Sequence, residues 1–277
     1  MEKVADARPP QTSGHRPFTP TGGQLNESNR PRTDGPLLIN TAFMEDMFSG
    51  VARRYDLANR VLSLGRDPFW RRALARRIKI IDRPGRLLDL AAGTGDQIVA
   101  AKHVHPSLEV TGLDLSAGMM ELAGPKFRRL APPRPKMLLG DALNPPLADN
   151  SFDSVSISFG LRNIPAREAL YAQVMRLLKP GGRFLVLEMY HDPQYSLAPL
   201  IRFYLRHMVP WLGGRLISRE QAAYSYLTSS VLAFPRPELL AGELAGAGFI
   251  SIGHLSYTFR TVMLVWGEKP GPGGETP

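Results

Sequence analysis

Short apolar segments alternate with amphipathic segments along the middle of the chain, and this alternation constrains the fold more than any other feature. Helical stretches separate most of the apolar segments, which are RLLDL (86–90), EVTGLDL (109–115), KMLLGDA (136–142), SVSIS (154–158) and GRFLVLE (182–188). Strands that alternate with helices form βαβ units, whose parallel strands are covered by helices on both faces. The sequence therefore predicts an α/β fold around a mostly parallel, twisted sheet.

The two ends of the chain have a different composition. Residues 1–38 include RPPQTSGHRPFTPTGGQ and are rich in Pro, Gly, Ser and Arg without an apolar period, which predicts a disordered arm. Residues 269–277 predict a short flexible tail of the same kind. The remaining 39–268 predict one domain, which opens with an amphipathic helix around Met44 to Tyr55.

The first strand runs into a glycine turn. In LLDLAAGTGDQ, Asp89 closes the strand and Gly93, Thr94 and Gly95 lead into a helix. Ligands of parallel sheets bind outside the carboxyl ends of the strands, where glycines let the backbone approach them and helix amides point at them. The third glycine of a dinucleotide fingerprint is missing, which disfavours NAD. Taken alone, the motif is equally compatible with an ordinary tight turn.

Two more aspartates follow the next strands. Asp114 ends EVTGLD, where a carboxylate can accept both hydrogen bonds of a ribose diol. Asp141 and Ala142 can bind an adenine, because the carboxylate accepts from the exocyclic amine while a backbone amide faces a ring nitrogen. Either aspartate alone could be a helix N-cap. Together they predict a nucleoside pocket without a phosphate-binding loop, and hence an adenosine that carries something other than phosphates.

The fourth strand ends unusually. SVSISFGLRN (154–163) runs from a buried strand into Arg162 and Asn163. By themselves, these two residues are compatible with a surface arginine at a helix cap and a turn-forming asparagine.

These motifs resemble the class I S-adenosylmethionine-dependent methyltransferases, which have a Rossmann-like fold, and among them the ubiquinone/menaquinone biosynthesis C-methyltransferase family. The resemblance spans roughly Phe43 to Phe249 and rests on MFSGVARRYDLANRVLSLGRDPFW, DLAAGTGD, DNSFDSVSISFGLRN, RLLKPGGRFLVLE and YSYLTSSVLAFP. It implies that S-adenosylmethionine is the methyl donor and that the residues holding it include Thr94, Asp114, Asp141, Ala142 and Ser158. It also implies an acceptor site lined by Tyr55, Arg162 and Asn163.

The implied reaction is C-methylation of a polyprenyl quinol, with demethylmenaquinol slightly ahead of a ubiquinone precursor and another aromatic or lipid metabolite as the alternative. Carbon methylation requires an electron-rich ring, yet a phenol titrates near ~10. An arginine stays protonated above ~12, so Arg162 would stabilise the phenolate instead of acting as the base. Asn163 would orient the ring oxygen, and Tyr55 or a water molecule would relay the proton.

Three departures from the family pattern fall near the expected acceptor. Asp67 stands where the family usually has His, Met189 and Tyr190 stand where Phe-Ser is usual, and SYTFRTVMLVW replaces a Gly-Gly-containing strand. Donor binding is therefore better supported than the identity of the acceptor.

The positive charge of the chain favours anionic partners. An excess of 34 Lys and Arg over 25 Asp and Glu gives a net charge of +9, which suits a lipid surface or nucleic acid. A nucleic-acid-binding protein with a vestigial donor pocket is therefore the rival hypothesis, although the resemblance implies no nucleic acid. There is no cysteine, and His103 and His105 have no carboxylate or histidine nearby, so no metal site is predicted.

The segment SLAPLIRFYLRHMVPWLGGRLISRE (196–220) combines apolar and basic residues. Its apolar residues at helical spacing are Leu197, Leu200, Ile201, Tyr204, Leu205 and Met208, and Arg202 and Arg206 lie on another face. This pattern predicts either a helix packed over the fourth and fifth strands or a cover that admits a prenyl tail and touches a bilayer. We expect a cytoplasmic protein that associates peripherally with the inner face of the membrane, and we leave open whether it forms a homodimer.

Overall fold

A seven-stranded sheet forms the centre of the molecule. The computed structural model describes residues 59–60, 62–209, 211, 221–271 and 273. The strands follow the order β3-β2-β1-β4-β5-β7-β6, and β1 to β5 run parallel while β7 is antiparallel to both of its neighbours. The predicted mostly parallel α/β sheet is confirmed. The arm over 1–38, the helix around Met44 to Tyr55 and residues 274–277 lie outside the described residues.

The elements alternate as the apolar pattern predicts. The strands are β1 (Arg86–Leu90), β2 (Glu109–Asp114), β3 (Lys136–Leu139), β4 (Phe152–Ser158), β5 (Leu178–Met189), β6 (Ile250–Tyr257) and β7 (Val262–Glu268). The helices are α1 (Asp67–Ala75), α2 (Asp96–Val104), α3 (Ala117–Phe127), α4 (Arg167–Leu177), α5 (Ala198–Phe203), α6 (Gln221–Ala233) and α7 (Pro237–Gly246). A 3₁₀ turn (Leu161–Asn163) follows β4, and α5 continues as a π-helix (Tyr204–Met208).

Helices cover both faces of the sheet because strand side chains alternate between the faces. Leu87 of β1 belongs to a buried cluster with residues of α1, α2 and α3, whereas its neighbour Leu88 belongs to a second cluster with residues of α4 and α7. The two clusters place one apolar core on each side of the sheet. The prediction of helices on both faces is confirmed.

Two strands differ in length from the sequence pattern. β3 ends at Leu139, so Asp141 and Ala142 lie in the loop after it. β5 already begins at Leu178, which pairs with Phe152 before the register shifts over the intervening Lys-Pro-Gly-Gly. The glycine and proline residues interrupt the apolar pattern that marks a strand, and for that reason the sequence understates this one.

The chain reverses its order of strands at β1, which lies between β2 and β4. Sheets of this type bind ligands in the crevice that opens at such a point. Here the loops after β1 and β4 approach closely, since a Cβ added to Gly160 would lie 2.7 Å from the Cβ of Ala91. A glycine is therefore required at position 160 for the two loops to meet at the crevice.

The start of the predicted tail is tied to the sheet. Lys269 exchanges backbone hydrogen bonds with Gly181 and Gly182, and its ammonium group donates to Asn150. Within the described ranges, no helix has the length and apolar character needed to cross a membrane.

Candidate active site

Asp114 joins the first two loops at the carboxyl edge of the sheet. Its Oδ2 accepts from the amide of Gly93 at 2.7 Å, and its Oδ1 accepts from the amide of Ser116 at 2.8 Å. Burial raises the pKa of Asp114, and the amides of Ser116, Gly93 and Leu115 oppose that rise. The N-cap of α3 is Ser116, whose hydroxyl accepts from Met119. The N-cap interpretation of Asp114 is therefore wrong, and its carboxylate fixes the glycine turn.

The two glycines of that turn serve different needs. Both have positive φ, 53° at Gly93 and 79° at Gly95. A Cβ on Gly95 would lie 2.6 Å from the ring of Phe127 on α3, so this glycine permits helix packing. A Cβ on Gly93 would meet nothing within 4 Å. Of the two positions, Gly93 is the one whose backbone faces open space where a ligand can approach.

Thr94 lies between these glycines and is buried. Its hydroxyl accepts from the ammonium group of Lys126, which also pairs with Asp96 at 2.5 Å. This hydrogen bond ties the turn to α3. The hydroxyl of Thr94 is thus oriented by Lys126, which lies 32 residues further along the chain.

Asp89 is buried at the end of β1. Burial raises its pKa to about 7, while the hydrogen bond from Ser156 and the charge of Arg71 act in the opposite direction and Asp114 adds to the rise. The hydroxyl of Ser156 donates to Asp89 at 2.6 Å. Asp89 therefore links β1 to β4 beneath the crevice and can change its protonation state near neutral pH.

The remaining predicted donor residues lie at the ends of β3 and β4. Asp141 is half-buried and accepts from the amide of Leu143 at 2.8 Å, while Ala142 is buried. The described residues 142–151 contain no helix, so the N-cap interpretation of Asp141 is also wrong. Ser158 donates to Gln97 at 3.2 Å, and Gln97 donates weakly to the carbonyl of Arg71 at 3.4 Å.

Arg162 forms a buried ion pair with Glu188. Its Nη1 lies 2.6 Å from Oε1 of Glu188 and donates to the carbonyl of Phe159 at the same distance. The side chains of Arg162 and Glu188 are 8% and 0% exposed. Glu188 also accepts from the amides of Arg162 and Met189. Arg162 therefore follows a core strand because its charge compensates the buried carboxylate of Glu188. The interpretation of Arg162 as a surface residue is wrong.

Asn163 follows Arg162 on the 3₁₀ turn and is bound from a distant helix. Tyr226 of α6 donates its hydroxyl to Oδ1 of Asn163 at 3.0 Å. Burial raises the pKa of Tyr226, Arg162 opposes this and Glu188 adds to it. The phenol of Tyr226 is therefore neutral, and the charges of both Arg162 and Glu188 influence its pKa.

The structure brings all predicted donor residues to the carboxyl edge of the parallel strands and places Arg162 and Asn163 beside them, after β4. Tyr55 lies outside the described residues. Sequence reasoning missed Glu188, Tyr226 and Gln97. A carboxylate at the end of the apolar segment GRFLVLE was a usable signal for Glu188, whereas only tertiary structure pairs Tyr226 with Asn163.

Comparison with known proteins identifies this arrangement. The ubiE/COQ5 methyltransferase family matches residues 38–269. The chain belongs to this family. The demethylmenaquinone methyltransferase of Thermus thermophilus is 42% identical over 81% of this chain and 100% of the relative. The ubiquinone/menaquinone biosynthesis C-methyltransferase UbiE of Syntrophotalea carbinolica is 41% identical over 90% of this chain and 100% of the relative.

A solved structure supports the fold. The S-adenosylmethionine-dependent methyltransferase of Thermotoga maritima, described as a possible histamine N-methyltransferase, has a TM-score of 0.56 at 18% identity over 82% of this chain and 99% of that chain. The chain thus has the Rossmann-like class I methyltransferase fold.

The family departure at Asp67 has a local partner. Its carboxylate accepts from Nε of Arg71 through both oxygens at 2.9 Å, and both side chains are nearly buried. The guanidinium of Arg71 lies 5.1 Å from the ring centroid of Phe159, the residue that follows β4. Phe159 has φ 58°, a strained conformation for a non-glycine residue. Asp67 therefore holds Arg71 in place against Phe159, the strained residue after β4.

The departure at Met189 and Tyr190 has a structural role at its second residue. Tyr190 is 1% exposed, and its hydroxyl lies 2.8 Å from that of Ser256 on β6. Its amide donates to the carbonyl of Thr261 in the turn between β6 and β7. Tyr190 therefore joins the end of β5 to the C-terminal hairpin. That these departures lie near the acceptor stays a prediction.

Proposed function

We propose that this chain transfers a methyl group from S-adenosylmethionine to a ring carbon of a demethylated polyprenyl quinol, with demethylmenaquinol as the preferred acceptor. The observation that carries the proposal is the 42% identity to a demethylmenaquinone methyltransferase over that protein's full length. The geometry agrees with it, because one edge of the sheet carries both a turn for a nucleoside and a buried cation for an anionic ring.

The donor side suits an adenosine without phosphates. Asp114 is held by two backbone amides, which leaves its remaining lone pairs to accept from a ribose diol. Gly93 faces open space, and Asp141 and Ala142 follow at the next strand end. Thr94 and Gly95 belong to this turn, and Asp89 and Ser158 are held at the ends of β1 and β4 by Ser156 and Gln97. When bound, S-adenosylmethionine supplies an electrophilic methyl group on a sulfonium.

The acceptor side suits a phenolate. A cation that stabilises an anion in a dry site contributes more than it does in water. Arg162 is such a cation, and Glu188 holds it in place through two of its hydrogen bonds. Asn163, held by Tyr226, would orient the ring oxygen, and Tyr226 and Tyr55 are candidates for relaying the proton that the quinol hydroxyl releases.

We also propose that the enzyme collects its acceptor at a membrane surface. The structure divides the predicted apolar stripe of 196–220 into two faces. Leu205 is buried and packs with Val209 and Val231, whereas Leu200 and Phe203 are 64% and 56% exposed. An exposed apolar face beside basic residues is typical of helices that lie in a membrane interface. A quinol with a long isoprenoid chain dissolves in the bilayer, so this face would meet it there.

The test of the reaction uses purified full-length protein, S-adenosylmethionine and reduced short-chain quinones. We expect mass spectrometry to find a singly methylated product from the demethylmenaquinol and a lower rate with the ubiquinone precursor. Cells that lack the protein should accumulate the demethylated lipid quinone. Absence of methyl transfer to both quinols would refute the proposal, and a faster rate with the ubiquinone precursor would reverse the order of acceptors.

The test of the membrane contact compares substrates of two chain lengths. Replacing the exposed residues Leu200 and Met208 with Ser leaves the buried contacts of Leu205 in place. We expect this double variant to lose activity on a long-chain quinol in vesicles and to keep activity on a short-chain analogue. Equal activity on both would mean that the helix serves packing alone.

A further inference from the structure

A basic cavity lies on the exposed side of α5 and its π-helical continuation. Its volume is about 430 Å³, and its wall includes the side chains of Arg202, Phe203, Arg206 and His207. Arg202 and Arg206 are four residues apart and therefore lie on the same face of the helix. A cavity of this size can hold a small organic or phosphate-containing group and not only a water molecule or a metal ion.

The positive charge of this cavity is not neutralised by the described parts of the protein. Within the ranges that the structure describes, Arg202 and Arg206 form no hydrogen bond or ion pair, and no carboxylate lines the cavity. The carboxylate that follows the end of β5, Asp192, accepts from Arg260 and from the amide of Gln194. Two guanidinium groups thus converge on a space that can take an anion, and their planar forks match the oxygens of a phosphate.

A buried histidine close to Arg202 is affected by the positive charge of the cavity. His191 is 5% exposed, and neither of its ring nitrogens has a hydrogen-bond partner among the described residues. Burial lowers the pKa of His191, and the charge of Arg202 lowers it further while Asp192 opposes the change. The charge of Arg202 therefore acts on His191. An anion bound between the arginines would offset that charge and make protonation of His191 less unfavourable.

Exposed apolar side chains are concentrated in the segment that carries the cavity and indicate the source of the anion. Of the thirteen exposed large hydrophobic residues in the described parts of the chain, five fall within residues 197–211. They are Leu197, Leu200, Phe203, Met208 and Trp211. A site for a free ion has no need of exposed apolar residues on the same segment, whereas a phospholipid presents a phosphate directly above its acyl chains.

We propose that this cavity binds the phosphate of an anionic phospholipid headgroup, while the exposed apolar residues of the same segment enter the bilayer interface. The inference deepens the proposed function, on which it rests, because it names the partner that holds the enzyme at the surface where the quinol resides. The inner face of the same helix packs on α6, where Leu205 and Val209 contact the cluster that includes Leu227. Since α6 carries Tyr226, headgroup binding would turn the acceptor side of the site toward the membrane.

The test measures co-sedimentation of the full-length protein with vesicles of phosphatidylcholine alone and of phosphatidylcholine mixed with phosphatidylglycerol. The variant is Arg202→Gln with Arg206→Gln, whose parent side chains are exposed and have no partner among the described residues, so its thermal unfolding should match wild type. A basic residue at an anionic surface contributes about 5-fold in affinity, so we expect about 30-fold weaker binding to the mixed vesicles.

A matched control carries the same change in net charge. Arg129→Gln with Arg134→Gln replaces two exposed arginines before β3, which forms an edge of the sheet four strand positions from β5. We expect no more than about a 2-fold effect, because charges beyond a Debye length from the surface are screened. Equal losses in both double variants, absence of wild-type binding to the mixed vesicles, or stronger binding to duplex DNA would each overturn the inference.

Two further experiments are needed. The first distinguishes a lipid phosphate from free phosphate, and the second distinguishes failure of this inference from failure of the proposed function. Calorimetry with inorganic phosphate should detect no binding; binding that the Arg202 and Arg206 variant loses would make the cavity a free-anion site and overturn the lipid assignment. Activity on a short-chain demethylmenaquinol in solution should persist in the variant. Normal activity without vesicle binding would refute this inference and the proposed membrane contact but leave the methyl-transfer reaction standing. Vesicle binding without activity on any quinol would refute only the proposed reaction.

Discussion

The donor and acceptor sides of the crevice are built in opposite ways. On the donor side, Asp114 and Asp141 accept from backbone amides, and most of these amides belong to residues one or two positions away. On the acceptor side, Arg162 and Asn163 are bound by Glu188 and Tyr226, which lie 26 and 63 residues further along the chain. The two donor-side aspartates are therefore held largely by nearby backbone, whereas Arg162 and Asn163 depend on side chains of distant elements.

This difference has energetic consequences. A carboxylate that accepts from backbone amides at the sheet edge keeps part of its water contact, so its loss removes a ligand contact more than it disturbs the core. A fully buried ion pair depends on both partners, because removal of one leaves an uncompensated charge. We therefore expect variants on the acceptor side to affect folding and catalysis together, and variants on the donor side to affect mainly donor affinity.

The largest effect is expected for Arg162→Ala. It leaves Glu188 buried without its cation and should lower the free energy of unfolding by about 3–5 kcal/mol. Turnover of the folded fraction should fall ~100-fold with donor affinity nearly unchanged. Denaturant unfolding and steady-state kinetics measure the two effects. Equal losses in turnover and donor binding would mean that the residue is structural.

A double variant separates these two roles. Arg162→Met combined with Glu188→Gln removes both charges and should regain most of the lost stability without regaining turnover. Recovery of turnover together with stability would show that the acceptor side needs no cation at this position.

The next effect is on donor binding. Asp114→Ala should weaken S-adenosylmethionine binding ~10-fold or more, because charge-assisted hydrogen bonds are each worth ~1.5–3 kcal/mol. Isothermal titration calorimetry measures the change. Asp149→Ala is the control, since its carboxylate is exposed and bonds to Arg176 away from the turn. Unchanged affinity of the Asp114 variant would remove this residue from the donor site.

A separate effect, on stability and not on affinity, is a pH dependence from Asp89. Its pKa is about 7 in the folded protein and 3.8 ordinarily, so between these values the folded state keeps a proton that the unfolded state has lost. Stability should therefore fall as pH rises from about 4 to about 7, by up to about 1.4 kcal/mol per pH unit, and then level off.

Asp89→Asn mimics the protonated acid and should flatten this slope. Urea unfolding at a series of pH values measures it for both proteins. A wild-type slope that persists in the variant would assign the dependence to another group.

The smallest effect is expected at the contact between α6 and the 3₁₀ turn. Tyr226→Phe removes one hydrogen bond to Asn163 and should lower turnover by about 5-fold, with donor affinity unchanged. Tyr171→Phe is the matched control, because its hydroxyl bonds to Glu243 of α7 and not to Asn163. If the control lowers turnover as much as Tyr226→Phe, the contact with Asn163 has no specific part in catalysis.

The apolar pattern and the strand-end motifs are sufficient to predict the sheet and the donor side. Apolar segments with a period of two mark strands wherever side chains alternate between two faces, and glycines and aspartates at strand ends act through nearby backbone. The positions of Gly93, Asp114 and Asp141 at the edge of the sheet therefore follow from the sequence alone. The start of β5 does not, because its Pro-Gly-Gly bulge breaks the pattern.

The partners of the acceptor side and of the basic helix depend on tertiary structure. Nothing local indicates that Arg162 compensates Glu188, or that Tyr226 reaches Asn163, since the parallel strands and helices that bring them together are far apart in the chain. The stripe of 196–220 shows the same limit: helical spacing marks Leu200 and Leu205 alike, but packing against α6 buries Leu205 and leaves Leu200 in solvent. Periodicity gives the face of a helix, and the neighbouring element decides which part of that face is covered.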